Sequence, residues 1–174
     1  MVDKKHLSEE FQEQIRNFRF VNFTIFGIHL ALEENPIYRC EDDAPNQAFN
    51  TQIGIDTQDE IRKHFYEISI GEPISEPGYM VLHPTRYDPS IAPHGKHITI
   101  IWQYGPCHPK GGDQLWDEIK EEYADLCMDV YKRFTKNVTN ASVISRLVHT
   151  PLDIARENIS MVGGDMVSGH TMLD

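Results

Sequence analysis

The residues best suited to chemistry gather near the end of the chain. Met161-Val-Gly-Gly-Asp165 leads through Ser168-Gly169 to His170 and Asp174. Asp165 and His170 are polar groups of the kind placed against a ligand or cofactor, and an imidazole exchanges protons near neutral pH. Gly163, Gly164 and Gly169 lack a Cβ, so the backbone there can turn sharply or approach another surface closely. The same glycines also read as plain turn residues of a terminus. The run stops at Asp174 without a closing element, like a piece cut from something larger whose site other residues complete. No helix clearly follows the glycines, and neither Gly-x-Gly-x-x-Gly nor a Walker loop occurs, so nothing here cradles a phosphate by itself.

Other chemistries find little support. Nine histidines invite a metal, but the closest pair, His94-x-x-His97, lies at a loop–strand junction. Helical i, i+4 spacing or an added carboxylate would be needed to sharpen it. Cys40, Cys107 and Cys127 are scattered, without a Cys-x-x-Cys pair or an electropositive neighbourhood that would favour a thiolate. No Gly-x-Ser-x-Gly elbow is present. Asp153, two residues after Pro151, suits a helix cap or turn better than catalysis.

Charge narrows the partners. The 174 residues carry a formal net charge of −11, which opposes nucleic acid and anionic membrane surfaces. The acidic runs at Glu33-Glu34 and Glu41-Asp42-Asp43 read as solvated loops. There is no apolar leader, and no run approaches the roughly 18 apolar residues of a membrane span. Reduced cysteines and the absent signal point to a cytoplasmic setting. On that reading the Asn-x-Ser/Thr sites at Asn22, Asn137 and Asn140 carry no glycans.

The elements that must position these residues follow from periodicity. Ser8 caps a helix with Phe11, Ile15 and Phe18 on one face, and Thr57-Gln-Asp-Glu60 is a capping box before Ile61, Phe65 and Ile68. Asp113 is expected to cap a long helix to about Phe134, with a stripe of Leu115, Ile119, Leu126 and Val130 and with Trp116, Tyr123 and Phe134 beside it. Strands are expected at Thr24–Leu32, Tyr79–His83, His97–Tyr104 and Val143–His149, the last closed by Pro151. In His97–Tyr104, Ile98, Ile100, Trp102 and Tyr104 face one way, and Thr99, Ile101 and Gln103 the other. The segment Arg86–Gly95 connects a hairpin, and Glu33–Gln52 is a long polar loop of the kind that forms lids. The expected class is α+β, a mainly antiparallel or mixed sheet with helices on one face, as a single domain.

At these residues a family resemblance emerges. His149-Thr-Pro-Leu-Asp-Ile-Ala-Arg-Glu-Asn158, Met161-Val-Gly-Gly-Asp165 and His170–Asp174 resemble the later part of phytoene-desaturase-like flavoproteins. These form the carotenoid desaturase and ketolase branch of the FAD-containing amine oxidase superfamily. Tyr87-Asp-Pro-Ser-Ile-Ala-Pro-His-Gly-Lys-His97 and Phe26-Gly-Ile-His-Leu-Ala-Leu32 are similar to further segments of that family. The family's N-terminal dinucleotide loop and its second flavin-contacting glycine motif are missing.

The resemblance implies the interposed substrate domain of an FAD-dependent oxidoreductase, inactive alone, whose partner is the FAD-binding domain of the same parent chain. It implies FAD in that parent, with Gly163, Gly164, Asp165 and His170 near the flavin. There the flavin takes the hydride while the protein positions an apolar polyene and excludes water. Phe26, Ile101, Trp102 and Tyr104 are candidates to line the substrate, or else are core beneath the helices. An exposed apolar wall would favour self-association, and the full-length protein would be peripheral to a membrane if its polyene comes from a bilayer. The alternative is a free-standing binding module for an apolar small molecule or a partner protein.

Overall fold

The strongest alternation in the chain lies in two ten-residue segments, and these pair with one another. The computed structural model describes residues 3–166 and Gly169. Its strands are β1 (Phe23–Leu32), β2 (Asn50–Ile53), β3 (Tyr79–Leu82), β4 (His97–Pro106) and β5 (Val143–His149). Its helices are α1 (Glu9–Asn17), α2 (Ala44–Gln47), α3 (Gln58–Ser69), α4 (Leu115–Phe134) and α5 (Pro151–Glu157). β1 and β4 run antiparallel in unbroken register from Phe23↔Pro106 to Leu32↔His97. The five strands form one antiparallel sheet in the order β2-β3-β4-β1-β5. The α+β class and antiparallel sheet expected from the sequence are those observed.

Period-2 alternation gives the sheet two unlike faces. Phe26, Ile28, Leu30 and Leu32 of β1 and Ile101 of β4 are buried against α4. The helix answers with Trp116, Tyr123, Ala124, Cys127, Met128, Val130 and Tyr131. Phe26 lies 5.5 Å from Trp116 and 4.9 Å from Tyr123, ring centre to ring centre. Tyr79 donates its hydroxyl to the Cys127 carbonyl at 2.5 Å, tying β3 to the same helix.

Three expectations need correction. The buried face of α4 is centred to one side of the predicted stripe: Val130 is buried with Trp116 and Tyr123, which were expected beside it, and with Tyr131, while Leu126 is exposed. Asp113 does not cap the helix with its side chain; α4 begins at Leu115 without a side-chain cap, and Asp113 pairs with His108 Nδ1 at 3.0 Å instead. Pro151 does not merely close β5. It opens α5, where a proline without an N–H is well suited to the first turn. The long polar segment after β1 holds the short helix α2 and leads directly into β2. Arg86 stitches that segment down, donating to the carbonyls of Pro36, Pro45 and Ala48. No helix among the described residues is long and apolar enough to cross a membrane.

Candidate functional site

The second face of the sheet is the one turned away from α4. Ile25, Gly27 and His29 of β1, Trp102 and Tyr104 of β4, Met80 of β3 and His149 of β5 point to this side. Two helices stand at its margins. α3 begins with the expected capping box, Thr57 Oγ1 accepting from Glu60 N while Glu60 Oε2 accepts from Thr57 N. It presents Ile61, Phe65 and Ile68 over the Trp102–Tyr104 end of the face. Phe65, Phe23 and Tyr104 meet edge-on or tilted, with Phe23–Tyr104 centroids at 5.3 Å and Phe23–Phe65 at 5.8 Å.

The other margin is α5. Thr150 and Asp153 form a second capping box at its start. Lys120 bonds Asp153 Oδ2 at 2.8 Å, and Arg156 bonds both carboxylate oxygens of Asp117 at 2.7 and 2.8 Å. These contacts clamp α5 to α4 and set Ile154, Glu157 and Asn158 beside the sheet. Asp153 thus does the capping work its position suggested.

Between the margins lie two adjoining cavities. The one under α3, about 410 Å³, is lined chiefly by Ile25, Ile61, Phe65, Met80, Trp102 and Tyr104. The one beside α5, about 320 Å³, is lined by Ile25, Gly27, His29, Trp102, His149 and Glu157, with Met161 and Met166 at its edge. Ile25 and Trp102 belong to both, so the two form one apolar trough with aromatic rings at one end and imidazoles at the other. His29 and His149 stack edge-to-face at 5.6 Å, and His149 Nε2 lies 3.6 Å from Glu157 Oε1. Burial, and then the neighbouring His149, hold His29 below the ordinary histidine range, which keeps it neutral at pH 7.

The candidate lining residues divide between the faces. Trp102 and Tyr104 lie in the trough. Phe26 and Ile101 point the opposite way and are fully buried under α4, because neighbouring strand residues take opposite sides of a sheet. They cannot line one surface with Trp102. Sequence reasoning missed Gly27, His29, His149 and Glu157. His29 carried a signal, since it shares a strand face with Ile25, but His149 and Glu157 join it only through strand register and the position of α5.

The glycine-rich segment is used inside the chain. Gly164 has φ of +82°, and an added Cβ would sit 2.3 Å from the Pro151 carbonyl oxygen. A Cβ on Gly163 would sit 3.0 Å from His108 Nε2. Asp165 is buried, and its Oδ2 accepts from Val21 N at 3.3 Å and Gly169 N at 3.0 Å. This ties the segment to the start of β1 and sets Met161 and Met166 at the trough's rim. His170 lies outside the described residues.

A dinucleotide does not fit the donor set. Pyrophosphates are held by open N–H groups at a helix start after a parallel strand. Here the described sheet is antiparallel, the starts of α3 and α5 are filled by the carboxylates of Glu60 and Asp153, and the first N–H groups of α4 donate to the carbonyls of Gly112, Asp113 and Gln114. Thiol chemistry is also disfavoured at Cys107, whose pKa burial pushes up to about 12.

Comparison with known proteins points to oxidoreductases. No family model matches the chain. It is 27% identical over 160 residues to a limonene dehydrogenase subunit of Castellaniella defragrans, covering 88% of this chain and 29% of that protein. It is 30% identical over 155 residues to pyridine nucleotide-disulfide oxidoreductase domain-containing protein 2 of Rattus norvegicus, covering 84% and 26%. A shorter match, 30% over 91 residues, covers 51% of this chain and 18% of the phytoene dehydrogenase of Streptomyces griseus. The chain therefore spans less than a third of the length of these relatives. The similarity supports the FAD- and NAD(P)-dependent oxidoreductase superfamily without separating its branches.

Proposed function

We propose that this chain is the substrate-binding part of an FAD-dependent oxidoreductase that acts on apolar, polyene-like molecules. The observation that carries the reading is the trough on the sheet face opposite α4, where Trp102 and Ile25 join two apolar cavities. Limonene and phytoene, named in two of the relatives, are both isoprenoid hydrocarbons. A hydrocarbon offers no hydrogen bonds, so it is held by aromatic and aliphatic walls that exclude water. Trp102, Tyr104, Phe65 and Ile61 supply such walls. The chain's own residues bind and orient the substrate; the flavin would be held by the remainder of the parent protein.

Two titrations test this. Diphenylhexatriene, a conjugated hydrocarbon that fluoresces in apolar sites, should bind the folded chain with micromolar affinity. Trp102→Ala should weaken it about tenfold, while Leu126→Ala on the far side of α4 leaves it unchanged. FAD, followed by flavin fluorescence, should not bind at high micromolar concentration. Tight FAD binding, or dye binding indifferent to Trp102, would refute the reading.

A further inference from the structure

Register aligns one residue from each strand across the open face: Gln52, Met80, Trp102, Gly27 and His149. Every position carries a side chain except the fourth. Gly27 leaves a gap in the floor between the indole of Trp102 and the imidazole of His149. Nothing among the described residues demands a glycine there. Gly27 is not among the positive-φ glycines, and an added Cβ would meet its nearest neighbours at 3.6, 3.9 and 3.9 Å, ordinary contact distances. A glycine inside a strand weakens it, and it often marks a place where a ligand approaches the backbone.

The groups around the gap say what would enter it. Neither the His29 nor the His149 imidazole makes a hydrogen bond among the described residues; Glu157 Oε1 approaches His149 Nε2 to 3.6 Å. A neutral imidazole offers one donor and one acceptor. Glu157 and the net charge of −11 oppose an anion. Ile154, Met161 and Met166 make the rest of the lining largely apolar, with Asn158 beside Glu157.

We propose that the cavity over Gly27 receives the uncharged, oxygen-bearing end of an apolar ligand, a hydroxyl or carbonyl that hydrogen-bonds the His29–His149 pair. The proposal rests on the reading of the trough as a substrate wall and names the substrate class more closely. Gly27 acts as the specificity position: it admits the ligand end by having no side chain.

The test compares farnesol with farnesene, the hydrocarbon that dehydration of farnesol gives, using the tryptophan fluorescence of Trp102 and Trp116 at pH 8. Wild type should bind farnesol about tenfold more tightly, the scale of one net hydrogen bond. His149→Phe together with His29→Leu should bring farnesol to the level of farnesene and leave farnesene unchanged; His149→Gln should restore part of the difference. Gly27→Ala and Gly27→Val should unfold at the same or a higher temperature than wild type, yet lose farnesol about tenfold. Equal binding of the two probes by wild type, or unaltered farnesol binding by folded Gly27→Val, overturns the proposal and leaves the apolar wall standing. If folded wild type binds neither probe, the wall itself is refuted and this proposal falls with it.

Discussion

His83 is a buried histidine that has exchanged water for neutral partners. Its Nε2 lies 2.8 Å from the Tyr38 hydroxyl and its Nδ1 3.4 Å from Thr99 Oγ1. The Tyr38 hydroxyl in turn meets Thr51 Oγ1 at 2.6 Å, so the network links β2, β4 and the turn that follows β3 to the segment after β1. Burial first, and then the Arg86 charge, lower the pKa of His83 to about 3. The unfolded chain takes up this proton near pH 6.5, and the native state refuses it until about pH 3. Stability from this group is therefore complete above pH 6.5 and falls as the pH drops towards 3. The slope is about 1.4 kcal/mol per pH unit. His83→Gln can still hydrogen-bond but does not titrate. Urea unfolding between about pH 4 and 6 should give a shallower pH dependence for the variant by about that slope. His29 shifts in the same direction but is present in both proteins, so the difference isolates His83. Parallel pH profiles would mean that His83 is not the neutral group described.

Among the elements, α5 is the helix that brings a capped start to the imidazole end of the trough. Its capping box holds Thr150 and Asp153 together, and Lys120 joins the same carboxylate. Thr150→Ala removes the acceptor for Asp153 N and should cost about 1 kcal/mol of stability in urea unfolding. Because α5 carries Ile154 and Glu157 to the cavity, the same variant should weaken diphenylhexatriene binding by a few-fold while Trp102 stays in place. Unchanged binding with the stability loss would separate α5 from the site. This element also marks where the sequence was hard to read. The long strands were legible because one face is buried and one is open, so apolar residues alternate. β2 was not, because a four-residue edge strand of polar Asn50, Thr51 and Gln52, the first and last of them exposed, has no such contrast. α5 was hidden because a proline that ends a strand and one that starts a helix look alike until the helix has a wall to lean on. Trp102 and Tyr104 were placed on one strand face from sequence. Their joining to His29 and His149 needed the β1–β5 register, which no local pattern encodes.

For the whole molecule, two opposing surface properties decide behaviour in solution. Phe65 and Tyr104 are nearly half exposed at the aromatic end of the trough, and Phe11, Ile15 and Phe18 are similarly exposed along α1. Apolar surface of this kind favours association. Against it stands a net charge of −11, which makes copies repel. Salt weakens only the second effect: the screening length is about 10 Å at 0.1 M and about 3 Å at 1 M. The expected result is a monomer in sedimentation at low sodium chloride and a concentration-dependent larger species at about 1 M. Phe65→Gln with Tyr104→Gln should abolish the larger species if the open sheet face is the contact. Phe11→Gln with Ile15→Gln should abolish it if α1 is. Dissociation on adding salt would invert the argument, since it would mean that complementary charges, rather than the apolar faces, hold the copies together. The trough then makes a sharper distinction. A diphenylhexatriene-saturated chain should associate less at high salt if the ligand and the second copy compete for Phe65 and Tyr104, and equally if the contact runs through α1.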